Sequence, residues 1–188
     1  GNQIKMQEVS YHDLLQHIRS LDSASSIIIG IDGVAGSGKT TLSLNLQKDL
    51  GNSQIIHMDD LYEGWSDPLS AALSERVVKQ ILEPITSNRS ATYDRFNWSK
   101  QLFDEQIKIV PSKYVILEGV GAGQKYFRNY LTKLIWVSCD PKTGFERVLA
   151  RDGQHLRNQM IIFLKDQNKH FEIEKTDLAS DYNYSGVP

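Results

Sequence analysis

The spacing of apolar positions changes period several times along the chain. Tyr11, Leu14, Leu15 and Ile18 recur at i, i+3, i+4 and i+7, the stripe of an amphipathic helix, so residues 1–22 are read as an N-terminal helix laid against the rest. "SIIIGID" (Ser26–Asp32) is instead continuously apolar and β-branched, which suits a strand covered on both faces of a parallel sheet. After a glycine-rich turn, Leu42, Leu46 and Leu50 repeat every fourth residue until Gly51 ends the helix. "QIIHM" (Gln54–Met58), "KYVILEG" (Lys113–Gly119) and "KLIWVSC" (Lys133–Cys139) are further strands, and "DYNYS" is a short last one.

Helical patterns separate these strands. Asp67 followed by Pro68 reads as an N-cap with proline at the first helical position, and Leu69, Leu73, Val77 and Ile81 carry that helix towards Pro84. Pro141 to Ala150 forms another, and Leu156, Met160, Phe163, Leu164, Gln167 and Phe171 mark a later one. Strands alternating with helices predict an α/β fold, a three-layer α/β/α arrangement around a mainly parallel five-stranded sheet. At 188 residues the chain is long enough for one domain with a substantial core and too short for two ordinary ones, so residues 1–188 are read as a single domain. Residues 89–110 carry no clear period and receive no assignment.

Composition narrows the function classes. Hydrophobic residues at 40% and charged residues at 23% are those of a globular protein, and a formal charge of -2 supplies no general basic field for duplex nucleic acid. No apolar run approaches the length needed to span a bilayer, and "GNQIKMQEVS" lacks the apolar core of a signal peptide. Cys139 is the only cysteine, which excludes an intramolecular disulfide and is compatible with a reducing cytoplasm, the expected location. His12, His17, His57, His155 and His170 show no metal-ligand spacing, so structural zinc is not expected.

"GVAGSGKT", Gly33 to Thr40, fits G-x-x-x-x-G-K-[ST] and sits between a buried strand and an amphipathic helix, as its mechanism requires. Here the backbone N–H groups of Gly33, Ala35, Gly36, Ser37 and Gly38, with Thr41 beginning the helix, turn towards phosphate oxygens. Lys39 reaches the β and γ phosphates, and the Thr40 hydroxyl can bind Mg²⁺. An Asn-Lys-x-Asp loop, which a GTPase would use to read its base, is not supplied by "VSCDPKTG". The length suits a small phosphotransferase.

"HMDDLYEGW", His57 to Trp65, places two acids at the C-terminal end of the second long strand, on the sheet edge where ligands collect in open α/β folds. An Asp-Asp pair can simply solvate a turn. Beside a phosphate loop, however, a kinase needs one carboxylate to orient the acceptor hydroxyl and take its proton, and another near the metal. Glu118, ending "YVILE", can hold Mg²⁺ directly or through water; the plainer alternative is a helix cap or loop ion pair. Arg147 and Arg151 lie four residues apart on one helical face, with Arg157 after a glycine break, and arginines there can clamp a transferring phosphoryl group or merely pair with Glu146 and Asp152.

"GVAGSGKTTL", "MDDLYEGW", "YDRFNW", "ILEGVGAG" and "ERVLARDG" together resemble the uridine kinase-like branch of P-loop kinases, which includes pantothenate kinase and phosphoribulokinase relatives. The resemblance runs from about Ser26 to Asp181 and is nearest to the short bacterial members that carry D-D-x-Y with a following Gly-Trp. It implies a P-loop NTPase fold with a helical lid at about residues 147–172, ATP and Mg²⁺ as cofactors, and Asp59 as catalytic base or metal partner. By the same resemblance Glu118 assists the metal and arginines close over ATP. Asp60, Tyr62, Trp65, Tyr93 and Arg95 are the candidates for an acceptor pocket. Characterised uridine kinases are longer and carry acceptor-binding elements with no counterpart here, so nucleoside specificity does not transfer with the fold.

The leading expectation is therefore transfer of the γ-phosphoryl group of ATP to a small metabolite, a nucleoside or nucleotide. The same fold acting on pantothenate or a sugar phosphate is one alternative. A non-catalytic module that ATP closes around a partner is another. The sequence leaves open the acceptor, whether it offers a hydroxyl or a phosphate, and the oligomeric state.

Overall fold

The computed structural model describes residues 7–65 and 67–186. In chain order its strands are β1 (Gln7–Glu8), β2 (Ile27–Asp32), β3 (Ser53–His57), β4 (Ala91–Asn97), β5 (Leu102–Ile109), β6 (Tyr114–Glu118), β7 (Lys133–Ser138) and β8 (Tyr182–Ser185). The main sheet has the order β1-β8-β7-β2-β6-β3, and every neighbouring pair in it is parallel. It contains the five expected strands, extended at one edge by the two-residue β1. Its helices are α1 (Tyr11–Arg19), α2 (Lys39–Leu50), α3 (Ala71–Val77), α4 (Glu83–Thr86), α5 (Lys125–Arg128), α6 (Pro141–Asp152), α7 (Arg157–Glu174) and α8 (Thr176–Ala179).

The three layers follow from the alternation within β2. Ile27, Ile29 and Ile31 pack with Leu14, Ile18, Leu42 and Leu46 of α1 and α2 on one face. Ile28 faces the opposite core, with Leu73 and Val77 of α3 and Phe127 of α5. Both faces of the strand are buried, which is why it reads as an unbroken apolar run. A third apolar cluster, Val120, Val148, Leu149, Met160 and Phe163, joins α6 and α7 to the loop after β6.

Three expectations are corrected. The N-terminal helix does not fill residues 1–22: residues 7–8 are in β1, the helix begins at Tyr11 because the Ser10 hydroxyl accepts from the Asp13 N–H, and residues 1–6 lie outside the described residues. Asp67 is not an N-cap. Its φ is +46°, whereas a cap needs extended backbone, and Ser70 supplies that with a hydroxyl that accepts from the Leu73 N–H. The helix also does not stop at Pro84, because a π turn over Val78–Leu82 delivers the chain so that Pro84 falls in the first turn of α4, where its missing N–H costs nothing.

The unassigned segment forms an antiparallel hairpin, β4 with β5, separate from the main sheet. A register shift between Arg95 and Phe96 makes Ala91, Tyr93 and then Phe96 the buried positions, so the simple two-residue alternation is broken. Among the described residues no helix is long and apolar enough to cross a membrane.

Candidate active site

The phosphate loop leaves the end of β2 and feeds α2. Gly38, the residue before α2, supplies no side-chain cap, so the first N–H groups of that helix are not taken by a capping side chain. Lys39 is buried, and its ammonium folds back onto the loop, donating to the Gly33 carbonyl at 2.9 Å and the Val34 carbonyl at 2.7 Å. Burial lowers its pKa, while the nearby charges of Asp32, Glu118 and Asp59 act against that shift. Carbonyl oxygens thus occupy the ammonium where phosphate oxygens would replace them.

Asp32, which the motif does not point to, anchors this loop. Its fully buried carboxylate accepts from the N–H groups of Gly33 at 2.8 Å, Gly121 at 3.1 Å and Gly123 at 2.9 Å, tying the phosphate loop to the turn after β6. Burial pushes its pKa up to about 6 despite those hydrogen bonds and the Lys39 charge. An acid closing an otherwise apolar strand was the available signal.

Parallel registration of β3 with β6 brings the acids beside the loop. His57 and Glu118 are register partners at the ends of their strands, and His57 Nδ1 lies 2.5 Å from Glu118 Oε1. That hydrogen bond raises the His57 pKa. Thr40 Oγ1 is 3.4 Å from both Glu118 oxygens. Beyond His57 the chain turns through a single 3₁₀ turn, Met58–Asp60, that points Asp59 into a cavity of about 820 Å³. Asp59 is open to the water of that cavity yet recessed in the protein. The recess foremost, and the Glu118 charge next, raise its pKa.

Residues Ala35 to Thr41 line this cavity; Gly33 does not, and meets the site through its carbonyl, which accepts from Lys39. Asp60, Tyr62 and Trp65 reach the opposite wall. Tyr62 contributes its ring only, because its hydroxyl donates to the Val120 carbonyl. Trp65 packs edge-on against Trp98 and Phe163, with ring centroids 5.2 and 6.3 Å apart. Trp98 lines the cavity too and donates its indole N–H to the Asp59 carbonyl oxygen at 2.9 Å, a role the sequence did not assign.

Tyr93 and Arg95 are corrected: neither is on the cavity wall. Tyr93 is buried in the core under α3, and Arg95 turns outward to Asp60 at 3.3 Å and Glu105 at 3.6 Å.

Helix α6 lies directly on the phosphate loop. A Cβ added at Gly144 would sit 2.2 Å from the Ala35 carbonyl oxygen, so only glycine permits this approach. The approach carries Arg147 and Arg151 to the cavity, Arg147 Nη1 reaching the Gly36 carbonyl at 3.5 Å. Arg151 is held by Asp152 through two bonds of 2.8 Å. Arg157 instead lies over the Phe145 ring, with 5.5 Å from its guanidinium carbon to the centroid. Gly144→Val is expected to push α6 and both arginines off the loop and lower kcat/KM for ATP by about a hundredfold, since ångström-scale misplacement is that costly. Steady-state kinetics on variant protein with an unchanged circular dichroism spectrum would check this.

The donor set suits Mg²⁺. Thr40, Glu118 and Asp59 bring hard oxygen atoms to one cavity, the donor type that such a cation takes.

A phosphate loop, a strand-end glutamate beside its threonine and two arginines on α6 at the same cavity mark the class of P-loop small-molecule kinases, with the acceptor open. The chain belongs to the family whose model is described as AAA domain, which matches residues 29–162. It is 27% identical over 175 residues to a UPF0200 protein of Methanococcus vannielii, covering 84% of each chain. With the uridine kinase of Staphylococcus haemolyticus it shares 28% identity over 184 residues, 84% of this chain and 86% of that one. A solved structure described as a possible uridine kinase from Bacillus stearothermophilus shares the fold, with a TM-score of 0.70 at 18% identity over 93% of this chain and 97% of the other.

Proposed function

We propose that this chain is an ATP- and Mg²⁺-dependent phosphotransferase that moves the γ-phosphoryl group to a hydroxyl on a nucleoside or nucleotide. The observation that carries this reading is convergence: Lys39, Thr40, Asp59, Glu118, Arg147 and Arg151 all open onto one cavity although they come from four separate segments. Similarity to a uridine kinase supports the choice of acceptor, as do the indole rings of Trp65 and Trp98, against which a flat base can pack.

In this reading Lys39 exchanges its carbonyl partners for β and γ phosphate oxygens and balances charge as the phosphoryl group moves. Thr40 and Glu118 hold Mg²⁺, with Asp59 as a further partner, and the bound ion supplies neutralisation of phosphate charge. Asp59 orients the acceptor hydroxyl and takes its proton from its place on the cavity wall near Lys39 and Glu118. Arg147 and Arg151 exchange the Gly36 carbonyl and Asp152 for the phosphoryl oxygens as the lid segment, about residues 147–172, closes over ATP. Residues 1–188 act as one kinase domain in the cytoplasm.

ADP release with ATP alone, then with nucleosides, nucleoside monophosphates, pantothenate and sugar phosphates, tests the proposal. Stimulation of about tenfold or more by one nucleoside or nucleotide is expected, since positioning an acceptor removes much of the barrier. Stimulation only by pantothenate or a sugar phosphate would replace the acceptor. Tight ATP binding with no stimulation at all would favour an ATP-gated binding module.

A further inference from the structure

His57 belongs to the site by position, yet the chemistry above gives it no task. It ends β3 directly opposite Glu118, the last residue of β6, so the parallel register alone sets the two side chains together. The Glu118 side chain is 4% exposed and the His57 side chain 34%, so the carboxylate is recessed and the imidazole reaches it from the more open side. Imidazole Nδ1 lies against Oε1 at 2.5 Å. The Thr40 hydroxyl lies 3.4 Å from both carboxylate oxygens, so among the hydrogen bonds of the described residues Oε1 has His57 and Thr40 near it and Oε2 has Thr40 alone.

Rotation about the last of the three side-chain torsions of a glutamate can turn either oxygen towards a neighbour, and a metal site needs one orientation held. We propose that His57 is a positioning residue for the metal site: its Nδ1–H holds Glu118 Oε1 in one orientation and leaves Oε2 unengaged by His57, available to the Mg²⁺ that Glu118 and Thr40 would hold. This rests on the Mg²⁺ role assigned to Glu118 above. Partners that hydrogen-bond a ligating carboxylate from outside typically contribute 10–100-fold in metal affinity. The opposite role is also physically defined. Were His57 an internal cation that competes with the metal for Glu118, removing it would tighten metal binding.

The sign of the change therefore decides, and it can be read without catalysis. Mn²⁺ binding to the protein saturated with adenylyl imidodiphosphate is measured from the free-ion electron paramagnetic resonance signal for the parent, His57→Phe, His57→Asn and Glu118→Gln. Nucleotide affinity in EDTA is measured alongside. His57→Phe keeps a ring of similar size without a donor and is expected to weaken Mn²⁺ about 10–100-fold, with metal-free nucleotide affinity unchanged. His57→Asn places an amide N–H close to the Nδ1 position and is expected to restore most of the loss, which a merely space-filling role would not predict. Unchanged or tighter Mn²⁺ binding in His57→Phe, with Glu118→Gln still impaired, overturns the positioning role alone. Unchanged binding in Glu118→Gln overturns the metal role of Glu118 and this proposal with it.

Discussion

Lys39→Ala is expected to reduce phosphoryl transfer by about 10²–10³-fold, the loss typical when a fixed group that stabilises transition-state charge is removed. The expected effect is this large because Arg147 and Arg151 approach the cavity from α6 while Lys39 belongs to the phosphate loop itself, so neither arginine starts from its position. Removing it also leaves Asp32, Glu118 and Asp59 without the positive charge they surround. Single-turnover ADP formation with acceptor present would be measured on folded variant protein. Turnover like that of the parent would sink the phosphate-loop reading.

What could be read in advance depended on how far apart in sequence the cooperating residues lie. The phosphate loop was legible because all its parts fall within eight residues, Gly33 to Thr40, and the strand and helix around it have unmistakable periods. Strands β2 and β6 were legible because burial on both faces leaves continuous apolar runs. The β4–β5 hairpin was not, because the shift after Arg95 moves the buried position from 95 to 96 and hides the alternation. In "YDRFNW" it is Trp98, not Tyr93, that reaches the cavity: Tyr93 follows the ordinary alternation with Ala91 into the core. Asp32 and His57 were missed for a different reason. Their partners lie 89 and 61 residues away, at Gly121 and Glu118, and only the sheet register brings them together. Close approach of α6 was equally hidden, since Gly144 in mid-helix reads as a weakness until the Ala35 carbonyl is found against it.

The adjacent acids Asp59 and Asp60 have different surroundings, and their variants are expected to differ accordingly. Asp59 opens into the cavity near Glu118 and Lys39, while Asp60 is paired with Arg95 at 3.3 Å. Asp59→Asn keeps the size and much of the hydrogen bonding of the side chain but loses its proton affinity, so kcat is expected to fall about 10²–10⁴-fold while ATP still binds. The turn should survive the change, because the Trp98 indole holds the Asp59 carbonyl oxygen and not its side chain. Asp60→Asn gives up an ion pair with a half-exposed arginine that Glu105 also holds, an interaction worth at most about 1 kcal/mol, so a mild loss of stability or acceptor affinity is expected. Steady-state kinetics on both variants, with ATP affinity measured separately, distinguishes the cases. Equal small effects would return the pair to a solvated turn. A collapse at Asp60 alone would move the base one residue along the chain, and would require the Asp60–Arg95 pair to open when the acceptor binds.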